Sequence, residues 1–179
     1  LANNMSVFMN AFASLNADYQ IAVITTDNYN FQGPIITNSS TDPVGQLAQQ
    51  VQTGTYGSGH ERGIFMSYRA LQPGGDAAPG GNFLRADSSL VIVYVSDERD
   101  GNSYNWMNYA SYIETVKADK SQIVAHSVVG DFPSGCSYVN GTYTRNVMFG
   151  DGYHDIVTHF GGANYSICAL DWGQQLQSM

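Results

Sequence analysis

Ser96-Asp97-Glu98-Arg99-Asp100 crowds carboxylates and a hydroxyl into one short stretch. Oxygen donors of this kind are what a hard cation such as magnesium or calcium takes. The same composition also suits a solvated acidic loop. The preceding residues, Leu90–Val95, are an unbroken apolar run rich in β-branched side chains. Such a run suits a strand buried on both faces inside a parallel sheet. In open α/β sheets, ligands bind beyond the carboxyl ends of the strands. The acidic stretch therefore stands where a ligand would sit.

Four histidines bear on the enzyme question. His126 lies in an apolar run and reads as a hydrogen-bonded structural residue. His154 and His159 are five apart, so they do not share a helix face as i, i+4 partners do. His60 falls in a loop and is a candidate for a ligand rim. Neither a nucleophile elbow nor a phosphate-binding glycine loop is present, so the expectation is a non-enzyme. Tyr104, Trp106, Tyr109 and Tyr112 follow the acidic stretch. They suit either protein recognition at a rim or burial against the sheet.

The elements that must position these residues alternate along the chain. Met5, Phe8, Met9, Phe12 and Leu15 mark one helix face. Residues 19–26 read as a strand, Asp27-Asn28 as its turn, and 31–36 as a weaker strand in which Gly33-Pro34 favours an edge. Thr41-Asp42-Pro43 starts a helix with a capping residue and an early proline; it runs to about residue 52. Helices are further expected over 60–71, 106–117 and 151–160, and at the end of the chain from Trp172. Strands are expected over Leu90–Val95, Ile123–Val129 and 165–170. The stretches 72–81 and 130–144 read as loops. This order predicts an α/β fold, a three-layer sandwich with a mostly parallel central sheet. The link between 26 and 31 is too short for a crossover, so one edge strand is antiparallel. The whole chain, 1–179, reads as a single domain.

With 179 residues the chain is long enough for a substantial core. A net charge of -8 argues against binding a nucleic-acid backbone, and no apolar run is long enough to span a membrane. Charged residues are only 12%, whereas Asn, Ser, Thr, Gly and Tyr abound. That surface suits a secreted, periplasmic or cell-surface protein. Cys136 and Cys168 have no histidine or cysteine at metal-ligand spacing nearby. They read as a disulfide, which implies an oxidising compartment, or else as two buried thiols.

Several segments carry a resemblance to one family. They are 18–27 (DYQIAVITTD), 54–63 (GTYGSGHERG) with Ala70-Leu71, Phe83 to Arg85 followed by Leu90 to Asp100, and the closing Gly161-Gly162, Ser166-Ile167-Cys168 and Asp171-Trp172. In this order the chain resembles the von Willebrand factor type A domain, in a bacterial extracytoplasmic form, over nearly its whole length. The resemblance implies a cell-adhesion or protein-binding module that holds a divalent cation, Mg2+ or Ca2+, at the carboxyl end of the sheet. The family's third metal-binding loop maps onto Asp97. Its second loop maps onto 53–61, where Thr55 or Glu61 takes the place of the family's Thr. Asp27, Ser96, Glu98, Asp100 and His60 would line the rim.

The chain departs from the family in one respect. It lacks the first strand and that strand's Asp-x-Ser-x-Ser loop, and it opens where the first helix is already under way. The expectation is a processed or truncated piece whose central strand comes from a missing N-terminal segment or from a second polypeptide by strand addition. Left open, two buried strand edges would each carry unpaired backbone groups, at about 1–3 kcal/mol apiece. The expected role is recognition of a protein partner, with the cation as the bridge the resemblance implies. The alternative is a structural module of a surface assembly, completed from outside.

Overall fold

The computed structural model describes residues 1–14, 17–54 and 59–178. Its elements are α1 (Ala2–Ala13), β1 (Gln20–Ile21), β2 (Ile36–Thr37), α2 (Pro43–Gln50), α3 (Gly63–Leu71), β3 (Leu90–Val95), α4 (Trp106–Ile113), β4 (Ile123–Val129), β5 (Cys136–Asn140), β6 (Tyr143–Val147), α5 (Tyr153–His159), β7 (Asn164–Ser166) and α6 (Trp172–Gln175), with short 3-10 turns between and after them. The fold is mixed α/β. Strands β3, β4 and β7 form a parallel sheet in that order.

The two apolar runs behave as their composition dictates. Leu90 pairs with Ile123 and the parallel register continues to Val95 with Val128. β4 then pairs with β7, from Ser127 with Asn164 to Val129 with Ser166. Alternate β3 side chains enter different cores. Leu90, Ile92 and Tyr94 pack with Ile64, Ala70 and Leu71 of α3, Ala110 and Ile113 of α4, and Tyr153, Ile156 and Val157 of α5. Val93 and Val95 pack with Val128 and with Trp172 and Leu176 at the end of the chain. Packing against a core on each face, complete for Leu90 and Tyr94 and partial for Val93 and Val95, explains the absence of polar alternation in Leu90–Val95.

α1 uses its apolar stripe as the periodicity predicts. Met9 is fully buried with Tyr19, Ile36, Leu47 and Val51, while Met5 and Phe8 contribute to that cluster and to the one around Trp172. α2 begins as Asp42-Pro43 implies: the Asp42 carboxylate accepts from the Gly45 amide at 2.9 Å and proline occupies the first turn.

The structure differs from the sequence reading at several places, among them the strand expected over 165–170, which is regular only over Asn164–Ser166 before the chain turns. The antiparallel pair is its own two-stranded ladder, β1–β2, and is not an edge of the parallel sheet. Regular pairing covers only Gln20–Ile21 because Gly33 and Pro34 break the facing strand; beyond it the Gln32 amide donates to the Val23 carbonyl at 2.8 Å and the Thr25 amide to the Asn28 carbonyl at 3.1 Å. The stretch 130–144 is not irregular throughout. Its second half forms β5, which pairs with β6 from Cys136–Val147 to Asn140–Tyr143. Gly141, at φ +64, makes the two-residue connection. The helix from Trp106 ends at Ile113 and continues only as a 3-10 turn.

Cys136 and Cys168 form a disulfide. It ties β5 to the segment after β7, so the hairpin is fastened to the sheet. No helix among the described residues is long and apolar enough to cross a membrane.

Candidate functional site

Four loops meet at the carboxyl end of β3, stitched by backbone bonds. The Arg62 amide donates to the Thr26 carbonyl at 3.2 Å, the Gly101 amide to the Glu61 carbonyl at 2.6 Å, and the Asp100 amide to the Asp151 carbonyl at 3.0 Å. The end of 19–26, the start of α3, the loop after β3 and the start of α5 thus share one end of the molecule.

Side chains reinforce this. The Ser96 hydroxyl, buried at the end of β3, donates to the Glu61 carboxylate and accepts from the Glu98 amide at 3.0 Å. Removal from water pushes the Glu61 carboxyl above its ordinary range, the Ser96 hydrogen bond opposes this, and the negative charges of Asp97, Glu98 and Asp27 push it further up. Glu61, Asp97, Glu98, Asp27 and Ser96 are therefore electrostatic neighbours.

Asp100 is placed differently. Its side chain is 1% exposed. One carboxylate oxygen accepts from the Ile64 amide at 3.0 Å and the other from the Asn102 amide at 2.8 Å. Burial raises its pKa, against the pull of these amides, the Tyr153 hydroxyl and the Arg62 charge. Asp100 is thus an anchor beneath the rim: it caps α3 from a loop 36 residues away. Tyr153 completes the arrangement, accepting from the Gly63 amide at 3.2 Å while fully buried. Sequence reasoning missed Tyr153, because its partners lie 53 and 90 residues distant and no local pattern announces them.

A cavity of about 470 Å³ opens on this face. His60, Glu61, Glu98, Arg99, Tyr104 and Met148 are among its lining residues. Tyr104 is 77% exposed and Met148 50%, so the acidic floor has an apolar rim. Trp106, Tyr109 and Tyr112 instead pack against the core, which resolves the two readings of the aromatic series: Tyr104 faces solvent and the other three are structural. His126 is structural as well, its Nδ1 accepting from the Ala163 amide at 3.1 Å. His159 pairs with Glu114 at 2.9 Å, and His154 packs tilted against Phe149, ring centroids 4.9 Å apart. Thr55 lies outside the described residues.

The fit to a divalent cation is partial. Among the described residues, no three His, Cys, Asp or Glu side chains converge as a ligand set. Glu61, Ser96 and Asp97 offer oxygens, but magnesium takes six and calcium six to eight. Water or residues beyond those described would have to supply the remainder. No protein-family model, curated protein or solved structure matches the chain.

Proposed function

We propose that this chain is a binding module of an extracytoplasmic protein, built as a type A-like three-layer sandwich, whose partner is a protein that docks on the carboxyl-end face of the sheet. The observation that carries this reading is the convergence of Glu61, Ser96, Asp97, Glu98 and Asp27 beside a cavity rimmed by Tyr104 and Met148. Exposed aromatic and methionine side chains are enriched at protein-recognition surfaces, and the carboxylates beside them suit the polar rim of one. Residues 96–100 lie beyond the carboxyl end of a parallel strand, the usual ligand position in such sheets. The disulfide supports an oxidising compartment.

In this reading Asp97, Glu61 and Ser96 hold a weakly bound Mg2+ or Ca2+ with water in the remaining positions, and the cation accepts a carboxylate of the partner. Calorimetric titration with magnesium and with calcium tests it. Saturable binding that is lost in Asp97→Ala supports the cation's role. No heat at millimolar metal would remove the cation from the account and leave direct docking of a basic side chain on the acidic floor.

A second reading, a structural module of a surface assembly, is favoured by a separate observation: among the described residues β3 is laddered to β4 on one edge and to no strand on the other.

A further inference from the structure

α3 has two faces of different character. Ile64, Ala70 and Leu71 enter the core. Phe65 and Tyr68, three residues apart and so neighbours on the helix surface, are only half-buried. They lean on α4. Ring centroids are 5.6 Å apart for Phe65 and Tyr109, 5.0 Å for Tyr109 and Tyr68, and 5.2 Å for Tyr68 and Tyr112. Tyr109 and Tyr112 are the lower layer, because both also pack on the core. Phe65 and Tyr68 are the upper layer, which solvent reaches. The four rings make a continuous aromatic strip along the α3–α4 seam.

An arginine stands at each end of the α3 side of this strip. Arg62 and Arg69 are seven residues apart, two helical turns or about 10 Å, and share a face. The Arg62 guanidinium lies 5.6 Å from the centre of the Phe65 ring, and that of Arg69 lies 5.1 Å from the centre of the Tyr29 ring. Stacking of this kind fixes a guanidinium while leaving N–H groups in its plane for a carboxylate.

Neither arginine forms an ion pair among the described residues. The chain has 15 acidic residues against seven Lys and Arg, so carboxylates for self-pairing are plentiful. The Asp100 charge acts on Arg62, but its two oxygens already accept from the Ile64 and Asn102 amides. Two positioned guanidiniums on a chain of net charge -8 call for an anionic group from elsewhere.

We infer that the α3–α4 seam docks an acidic amphipathic segment of a partner protein. The segment carries two carboxylates about 10 Å apart, one for each arginine, and apolar side chains between them for the Phe65–Tyr68 strip. A helix supplies this spacing at positions i and i+7, and an amphipathic helix laid along an apolar seam is a common mode of peptide recognition. Tyrosine and arginine are the residues that dominate binding energy at interface centres. This surface is opposite in charge to the face of Glu61, Asp97 and Glu98, and it uses no cation.

The test selects a displayed library of helical peptides of about 14 residues, four turns, on the whole chain in the presence of EDTA. Glu is fixed at two positions seven apart and the face between them is randomised. The expected binders carry aliphatic or aromatic residues between the two glutamates and shift the amides of Phe65, Tyr68 and Tyr109. Binding, read by fluorescence anisotropy of the labelled peptide, should weaken about tenfold in Arg69→Gln, where an exposed side chain is changed. Tyr68→Ala, which removes a ring and no charge, should weaken it as well. Failure to select any peptide that Arg69→Gln loses would overturn the inference. So would equal binding after both glutamates are replaced by Lys, or shifts confined to 96–98. A concentration-dependent dimer of the chain abolished in Arg69→Gln would give the seam to a second copy and overturn the separate partner.

Discussion

The Asp100 carboxylate accepts the Ile64 amide at 3.0 Å across 36 residues of chain, so the loop that carries the acidic residues is also the cap of α3. The face proposed for binding is therefore coupled to the core. Any movement of 96–101 must release the first turn of that helix, together with the Tyr153 contact beneath it.

Asp100→Ala is expected to destabilise the fold by about 2 kcal/mol, the cost of a lost helix cap combined with buried amides left unpaired. Asp97→Ala, three loop positions before Asp100, should shift stability by less than about 0.5 kcal/mol. Urea denaturation of both variants checks the contrast. Equal losses would mean that Asp100 is not the anchor.

The raised pKa of Glu61 sets a direction for pH dependence. The folded state holds this proton more tightly than the unfolded chain does, so the contribution is full below the ordinary carboxylate range and is lost as pH rises through the folded value. Glu61→Gln removes that loss. The variant's stability relative to the parent should therefore improve between about pH 4 and pH 7. Asp97→Asn should lower the Glu61 value, read by carboxyl NMR titration, because one of the charges raising it is gone.

His126 behaves oppositely. Burial lowers its pKa, and its Nδ1 must stay unprotonated to accept from Ala163. Its contribution is full above the ordinary imidazole value and is lost as pH falls through the lowered folded value. Acidification below about pH 6.5 should weaken the β4–β7 end of the sheet, and His126→Phe should abolish that portion of the pH dependence in thermal melts.

Reduction of the Cys136–Cys168 disulfide opens a loop of 32 residues, which chain entropy values at about 3–4 kcal/mol. The Cys136→Ser/Cys168→Ser double variant should lose a comparable amount in chemical denaturation. Added exchange should concentrate in β5–β6, whose tip residues Val139 and Tyr143 are already exposed.

The parts of this fold that can be read from sequence are those whose cause is local. Leu90–Val95 and Ile123–Val129 match their predicted bounds because strands that pack on both faces are rich in apolar, β-branched residues, which only His126 and Ser127 interrupt. The α2 start is legible in Asp42-Pro43, and the cysteine pairing in the lack of other partners. The β5–β6 hairpin carried a usable signal, Gly141 between alternating segments, that a loop assignment over 130–144 overlooked. The role of Asp100 was not legible: an acid beside Asp97 and Glu98 reads as one more surface charge until Ile64 and Tyr153 are brought to it. The electrostatic grouping of Glu61 with Asp97 was expected only through family resemblance, since nothing local links the two loops.

The most direct test of the proposed recognition face is a residue-by-residue NMR amide titration of the chain with magnesium and with calcium. The account predicts saturable shifts confined to Asp27, Glu61 and 96–98, abolished in Asp97→Ala and with Asp100 and Ile64 little moved. Shifts spread over unrelated surface carboxylates, or unchanged in Asp97→Ala, would contradict a cation-dependent binding site at the carboxyl end of β3.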